Sequence, residues 1–431
     1  NELPAPSISI QSNSPRLLHL FNQDSVPHIA LLASGGGQRA AVALVGSVYQ
    51  MEKEGLLDTV LYLGGVSGST WSMASLYSDP EWSTNMDRTL SRLSGPGVDL
   101  EKALAWLTER AKEEDFSLTD IWGVLTSAGI MKQMDLRRLS DEASRNATNP
   151  YPVYSAIEKH CYSNGPIEGK WFEVSPHEAG FTEMGLFVQT SLLGSKFENG
   201  ELLEKKPEMD MVKLQGLCVG VCVCCVCDVL FLPVSLLTKQ VLPLIMKWEW
   251  GTTTNFLYQY QDSTVPPCLH SKDKFHLVDA GLLINVAYPS FLGDKRDIDL
   301  IIAPEYSAGN MFEFVAGAAQ TDLMPFPEID NQVLEDRDWP KDCYVFEGKG
   351  KEPTIIYMPL FNRQNCEDAE EFKAKMEEFS TFQRPFNQEK INVLVETAKA
   401  NIRNNKETLL REINKAVLRR QNKRCVCGGI K

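Results

Sequence analysis

Apolar and polar positions near the start of the chain repeat one local design. His28-Ile-Ala-Leu-Leu-Ala33 is short enough for a buried strand, Ser34-Gly-Gly-Gly37 interrupts it, and from Gln38 to Leu57 the residues Ala41, Leu44, Val45, Val48, Met51 and Leu56 recur near helical spacing. The order returns at once. Val60–Leu63 reads as a strand, Gly64–Gly68 as a turn, and Ser69–Tyr77 as a helix carrying Trp71, Met73, Ala74 and Leu76. Two such units in tandem predict an α/β fold with a mostly parallel central sheet, flanking helices, and functional turns at the strands' carboxyl ends. A third junction of apolar run and glycine is His276-Leu-Val-Asp279-Ala-Gly281. Asp99–Ala147 reads as charged and helix-rich, Leu186–Leu214 as loop and strand covering the site, and Gln388–Arg424 as helix with Ile402, Leu409, Leu410, Ile413 and Val417 on one stripe.

Composition narrows the function classes. The 431 residues carry a formal net charge of −14, which disfavours a broad grip on nucleic acid. Against that background the segment 401–424 holds eight Lys and Arg against two Glu, which reads either as a solvated basic face or as a membrane-surface contact. No repeat or linker divides the chain, so one main domain is expected over residues 26–424, after an extension 1–25 and before a tail 425–431. No basic-then-apolar leader stands at Asn1–Arg16, and the eleven cysteines show no evenly spaced disulfide framework, so an intracellular, reducing setting is expected. Five of those cysteines crowd into Cys218–Cys227. The run Leu217–Leu237 is long enough for a membrane span, but Asp228 and Pro233 count against insertion, and its cysteines lack the paired spacing of a zinc site. It reads as apolar core with inert thiols, or as a stretch from an alternative or misassigned exon.

Three glycine-bound motifs carry candidate chemistry. Gly65-Val-Ser67-Gly-Ser69 matches the first four positions of G-x-S-x-G, in which small neighbours let a serine stand clear on a sharp strand-to-helix turn. Ser34-Gly-Gly-Gly-Gln-Arg39 lacks the Lys-Ser/Thr pair of a Walker loop. It satisfies the loose dinucleotide pattern through Ala40, yet the second strand ends in Gly64-Gly65 where a ribose-binding acid belongs. The other reading is an oxyanion hole, with Arg39 as a fixed cation for a phosphate or as a solvated residue of a tight turn. A serine nucleophile needs a base. All six histidines precede Asp279, and a Ser-acid-His order would force His276 or His270 to pair with Asp228 or Asp262, which no motif supports. Asp279 itself can take the Ser67 proton, although an unperturbed carboxylate, with a pKa of ~3.9, is a weak base.

Taken together, Ser34–Ala40, Gly65–Trp71 and Val278–Leu282, with Trp171–Gly180 and Lys247–Thr252 in support, resemble the patatin-like catalytic domain of the group IV cytosolic phospholipases A2 over about Val26–Arg420. The resemblance implies Ser67 as nucleophile, Asp279 as dyad base, Gly36 and Gly37 as oxyanion donors, and Arg39 as the phosphate-binding cation. It further implies hydrolysis of acyl esters in glycerophospholipids and lysophospholipids at membrane surfaces, with no cofactor, metal, nucleic acid or obligate protein partner. The protein is then expected to be cytoplasmic and peripheral on intracellular membranes. There is no room for a calcium-binding C2 domain before the first strand, so calcium is expected to be dispensable. The cysteines of Cys425–Lys431 are not placed for prenylation, and no lipid anchor is assigned. The Cys/Val-rich segment 218–246 stands where the family carries polar lid and cap sequence, which leaves a second expectation: a catalytically impaired, membrane-binding relative with a disrupted lid.

Overall fold

The computed structural model describes residues 26–113, 116–144, 148–164, 171–219, 251–293, 296–307, 312, 325–381 and 385–428. The extension 1–25, most of the segment 218–246 and the lid expected there lie outside them. Its strands, in chain order, are Ile29–Ala33 (β1), Tyr62–Val66 (β2), Tyr151–Glu158 (β3), Trp171–Val174 (β4), Glu178–Phe181 (β5), Leu186–Gln189 (β6), Lys196–Glu198 (β7), Glu201–Glu204 (β8), Gly251–Thr254 (β9), Lys274–Asp279 (β10), Leu300–Glu305 (β11), Tyr344–Phe346 (β12) and Thr354–Pro359 (β13). All but the β7-β8 hairpin join one mixed sheet, ordered β12-β13-β11-β1-β2-β3-β4-β5-β6. Its centre, from β13 to β3, is parallel, and antiparallel strands extend it on both sides. This is the α/β fold the tandem motifs predict.

Burial explains the parallel centre. β1, β2 and β11 are buried at every position, as strands covered by helices on both faces must be. Helix α1 (Gly37–Lys53) leaves β1 and packs against the helix Gln388–Asn404 so closely that a Cβ on Gly46 would lie 2.8 Å from the Val395 carbonyl oxygen. Helix α2 (Gly68–Tyr77) leaves β2 and is buried throughout. β2 runs further than its hydrophobic pattern suggests. Gly64 and Gly65 are extended residues of the strand, paired with Leu32 and Ala33 on one side and Val153 and Tyr154 on the other. Phe291, Leu32, Met73 and Ser69 fill the space their side chains would need.

Two further expectations change. The C-terminal helix is two helices, Gln388–Asn404 and Lys406–Gly428, broken at Asn405, whose side-chain amide donates to Asp342 Oδ2 at 3.0 Å. Basic residues of the second helix have partners within the chain. Arg420 and Lys423 pair with Asp297 and Asp299, Arg419 donates to the carbonyls of Gly348 and Glu352, and Lys415 pairs with Glu347 and Glu412. Much of the local positive charge is thus paired with acids of this same chain. Cys161 and Cys268, to which the sequence assigned no pairing, form a disulfide between two short helices. No helix among the described residues is long and apolar enough to cross a membrane.

Candidate active site

Sheet topology brings the three glycine motifs together. β2 pairs with β3 up to Val66 opposite Ser155, and β10 pairs with the same strand from Asp279 opposite Ala156. The two strands run head to head along one edge of β3, so Ser67, the residue after β2, and Asp279, the last residue of β10, meet at neighbouring register positions. β1 lies on the other side of β2, and its last residue pairs with Gly65, which delivers the Gly35–Gly37 turn to the same place.

Ser67 sits at the point where β2 turns into α2, with φ 52° and ψ −130°. A residue with a side chain enters this region only under constraint, at a cost of about 1–3 kcal/mol, and strain of this kind concentrates at functional sites. Neighbouring hydroxyls supply the constraint. Ser69 Oγ donates to the Val66 carbonyl at 2.7 Å and accepts from the Val66 N–H at 3.0 Å, and Thr70 Oγ1 donates to the Ser67 carbonyl at 2.6 Å. Ser69, where G-x-S-x-G would have its final glycine, thus closes the elbow with its side chain. Its role was not legible from the motif, because it depends on hydrogen bonds across the turn.

The glycine turn packs directly on this elbow. A Cβ on Gly35 would lie 2.6 Å from Ser67 Cβ, and one on Gly68 would lie 2.6 Å from the Gly37 carbonyl carbon. Gly36 caps α1 at φ 146°, and Gly37 opens the helix at φ 60°, conformations that glycine adopts without steric cost. The turn therefore presents unshielded backbone and the positive end of α1 beside the Ser67 side chain. Asp279 ends β10 with Oδ1 accepting the Gly281 N–H at 2.8 Å, which fixes the carboxylate at the start of the next turn.

Arg39 is buried against the glycine turn. It is 1% exposed, with Nε donating to the Tyr306 carbonyl at 2.6 Å, Nη1 to the Phe379 carbonyl at 2.5 Å, and Nη2 3.5 Å from Thr381 Oγ1. Burial lowers its pKa to about 10, partly offset by buried Glu305. Glu305 is itself pushed up by burial, and it accepts the Ser307 N–H and the Tyr357 hydroxyl. The guanidinium thus joins the ends of two loops beneath the glycine turn. These bonds engage Nε and one N–H of Nη1, so the guanidinium has a structural role in addition to the phosphate contact expected of it.

The alternative triads find no support among the described residues. His276 is three residues from Asp279 on β10, so the two side chains point to opposite faces of the sheet. The His276 ring lies edge-on to His160 and 3.4 Å from Thr252 Oγ1. Asp262 is a half-buried turn residue accepting from Thr264, and Asp228 lies outside the described residues. One contributor absent from every sequence motif is Asn285. Its amide exchanges two hydrogen bonds with Gly35: Oδ1 accepts the N–H at 3.1 Å and Nδ2 donates to the carbonyl at 3.2 Å.

Residues 29–94 and 100–232 match the lysophospholipase catalytic domain family. The chain is 29% identical to human cytosolic phospholipase A2 gamma over 90% of each sequence. Among solved structures, human GIVD cytosolic phospholipase A2 superposes with a TM-score of 0.75 at 24% identity, covering 92% of this chain and 61% of that one. The same human protein in complex with methyl gamma-linolenyl fluorophosphonate gives a TM-score of 0.70 at 25% identity, covering 93% of this chain and 61% of that one.

Proposed function

Because this chain belongs to the group IV cytosolic phospholipase A2 family and carries a lysophospholipase catalytic domain, we propose that it hydrolyses the fatty acyl esters of glycerophospholipids and lysophospholipids through an acyl-Ser67 intermediate, without calcium. The observation that carries the reading is the strained Ser67 elbow, held at the register position next to Asp279.

In the first half-reaction Ser67 Oγ attacks the ester carbonyl carbon and its proton passes to the Asp279 carboxylate. The oxyanion is met by N–H groups of the Gly36-Gly37 turn, a contribution of the kind whose loss costs about 10²–10³ in kcat. The bond from carbonyl carbon to glycerol oxygen then breaks, Asp279 returns the proton to the leaving alkoxide, and the lysolipid or glycerophosphodiester departs. Water, deprotonated by Asp279, attacks the acyl-serine and releases the fatty acid and Ser67. Protons balance with one carboxylate in both halves, which is why no histidine is required. Arg39 holds the turn in this scheme.

The test uses the probe class seen with the human relative. A fluorophosphonate should label the wild-type protein at Ser67 and leave Ser67→Ala unlabelled, and fatty acid release should be equal in EGTA and in calcium. A wild-type protein that is folded but inert to the probe overturns the reading and leaves the membrane-binding, catalytically impaired alternative.

A further inference from the structure

Asn285 follows Asp279 by six residues and belongs to no motif that the proposed chemistry uses. Three observations place it at the centre of the site. Its side-chain amide makes both hydrogen bonds to the Gly35 peptide, and its own main-chain carbonyl accepts the same Gly35 N–H at 3.0 Å. A Cβ on Gly35 would clash at once with Asn285 Oδ1 and with Ser67 Cβ, so the amide lies alongside the nucleophile. A Cβ on Gly281 would lie 2.8 Å from Asn285 Oδ1 and 3.1 Å from Asp279 Oδ1, so those two oxygens are no more than about 6 Å apart.

We infer that Asn285 is the positioning residue that couples the oxyanion turn to the base: one uncharged amide holds the Gly35 peptide in register with Ser67 and keeps the neighbourhood of Asp279 free of a second charge. The chemistry of the side chain makes this specific. A buried peptide with both its N–H and its C=O facing one side chain needs a partner that donates and accepts at once, which an amide does and a carboxylate, once ionised, does not. Asn285 also sits on the segment that continues from Asp279, so the base and the turn are fixed by one stretch of chain. The inference rests on the Ser67-Asp279 reading and adds to it a residue that does not touch substrate.

Two variants separate positioning from a plain structural role. Asn285→Asp keeps the shape, puts a carboxylate oxygen against the Gly35 carbonyl, and brings a like charge within the range over which one carboxylate raises another's pKa. Asn285→Ser removes the two-point contact and adds no charge. Glu158 and His276 on the paired strands, and Arg39 with Glu305 beneath the turn, are common to both variants and to wild type. On a soluble ester, with folding checked by thermal unfolding, both variants should lose on the order of 10–100-fold in kcat with KM within about threefold. Only Asn285→Asp should move the acid limb of kcat/KM, by about one pH unit upward, because a base whose pKa is raised loses its active, ionised form at a higher pH. An acid limb in Asn285→Asp that coincides with wild type, or a kcat in both variants within twofold of wild type, overturns the inference. If Asn285→Asp does not fold, the kcat and KM of Asn285→Ser decide alone. Failure of the dyad reading is distinguishable, since it shows as an unlabelled wild-type Ser67 before any variant is made.

Discussion

Replacement of Gly68 by alanine separates the oxyanion turn from every other part of the site. Gly68 is the first residue of α2, and its φ is not in the left-handed region, so alanine brings no backbone penalty there. The effect is purely steric. The new Cβ would lie 2.6 Å from the Gly37 carbonyl carbon and 2.8 Å from Gly37 Cα, and it would overlap the Gly37 carbonyl oxygen. Carbon atoms pack at about 3.5–4.0 Å, so one backbone must retreat by about 1 Å. The Ser67 side yields least, because Ser69 Oγ and Thr70 Oγ1 pin the elbow from both ends. The Gly36-Gly37 turn must move instead, and its N–H groups move with it. Overpacking of this kind costs about 1–3 kcal/mol in stability. Misplacement of the donors by about 1 Å should cost on the order of 10²-fold in kcat, with the ground-state KM little changed. The assay is steady-state hydrolysis of a soluble monomeric ester, alongside a urea unfolding curve. Loss of stability with kcat within threefold of wild type would show that the turn relaxes without harm, and the oxyanion donors would have to be sought elsewhere.

Other outcomes follow from the same contacts. Ser67→Ala and Asp279→Asn should each abolish fatty acid release, with the double variant no worse than either, while His276→Ala stays near wild type; a silent His276→Ala beside an active Asp279→Asn reverses the assignment. Arg39→Ala leaves the buried Tyr306 and Phe379 carbonyls without their donor and should destabilise the fold by about 1–3 kcal/mol for each oxygen left unpaired. It should also impair neutral-ester hydrolysis along with phospholipid hydrolysis, whereas a loss confined to phospholipid would assign Arg39 to the headgroup alone. Beside the C-terminal helix, burial raises the Asp297 carboxyl but Lys423 and Arg420 outweigh it and hold its pKa below the ordinary value. Its contribution is therefore present above about pH 4 and lost as the pH falls through the lower folded pKa, so thermal unfolding scanned from about pH 6 to pH 2.5 should show less acid sensitivity in Lys423→Gln than in wild type. Vesicle binding that collapses in Lys423→Gln while its melting curve is unchanged would favour the membrane reading of that helix.

The parts of the site visible in the sequence are those set by local backbone needs. Gly36 and Gly37 need positive φ, Ser67 needs small neighbours at a strand-to-helix turn, and Asp279 sits where an apolar run meets a glycine; each requirement falls within a few residues. What the sequence hid is what depends on distant partners. Arg39 reads as a free cation until Tyr306 and Phe379 are brought to it across more than 260 residues of chain. The basic residues Arg420 and Lys423 read as a solvated face or a membrane contact because their partners Asp297 and Asp299 lie some 120 residues away. Asn285 has no motif because its function is a hydrogen-bonded pair with a residue 250 positions earlier. Local patterning also put Gly64 and Gly65 in a turn. Pairing on both sides, with the Phe291 ring and the Met73 thioether packed against them, made those glycines strand.

The absence of histidine from the proposed mechanism places a demand on the scaffold that this sheet meets. An imidazole can be held by a third residue and still swing between nucleophile and leaving group, but a short Asp side chain reaches only as far as its backbone is placed. A dyad therefore has to be positioned by main chain. Here β2 and β10 share one edge of β3 and end opposite Ser155 and Ala156, adjacent residues of a single strand, so the spacing of the proposed nucleophile and base is set by β3's own covalent geometry. A bulge inserted between Ser155 and Ala156 would separate the two by one register position, about 3.3 Å, with no change to either side chain. Such an insertion should abolish ester hydrolysis while retaining the folded circular dichroism signal. Retained activity would mean that side-chain freedom, rather than strand register, brings Asp279 to Ser67.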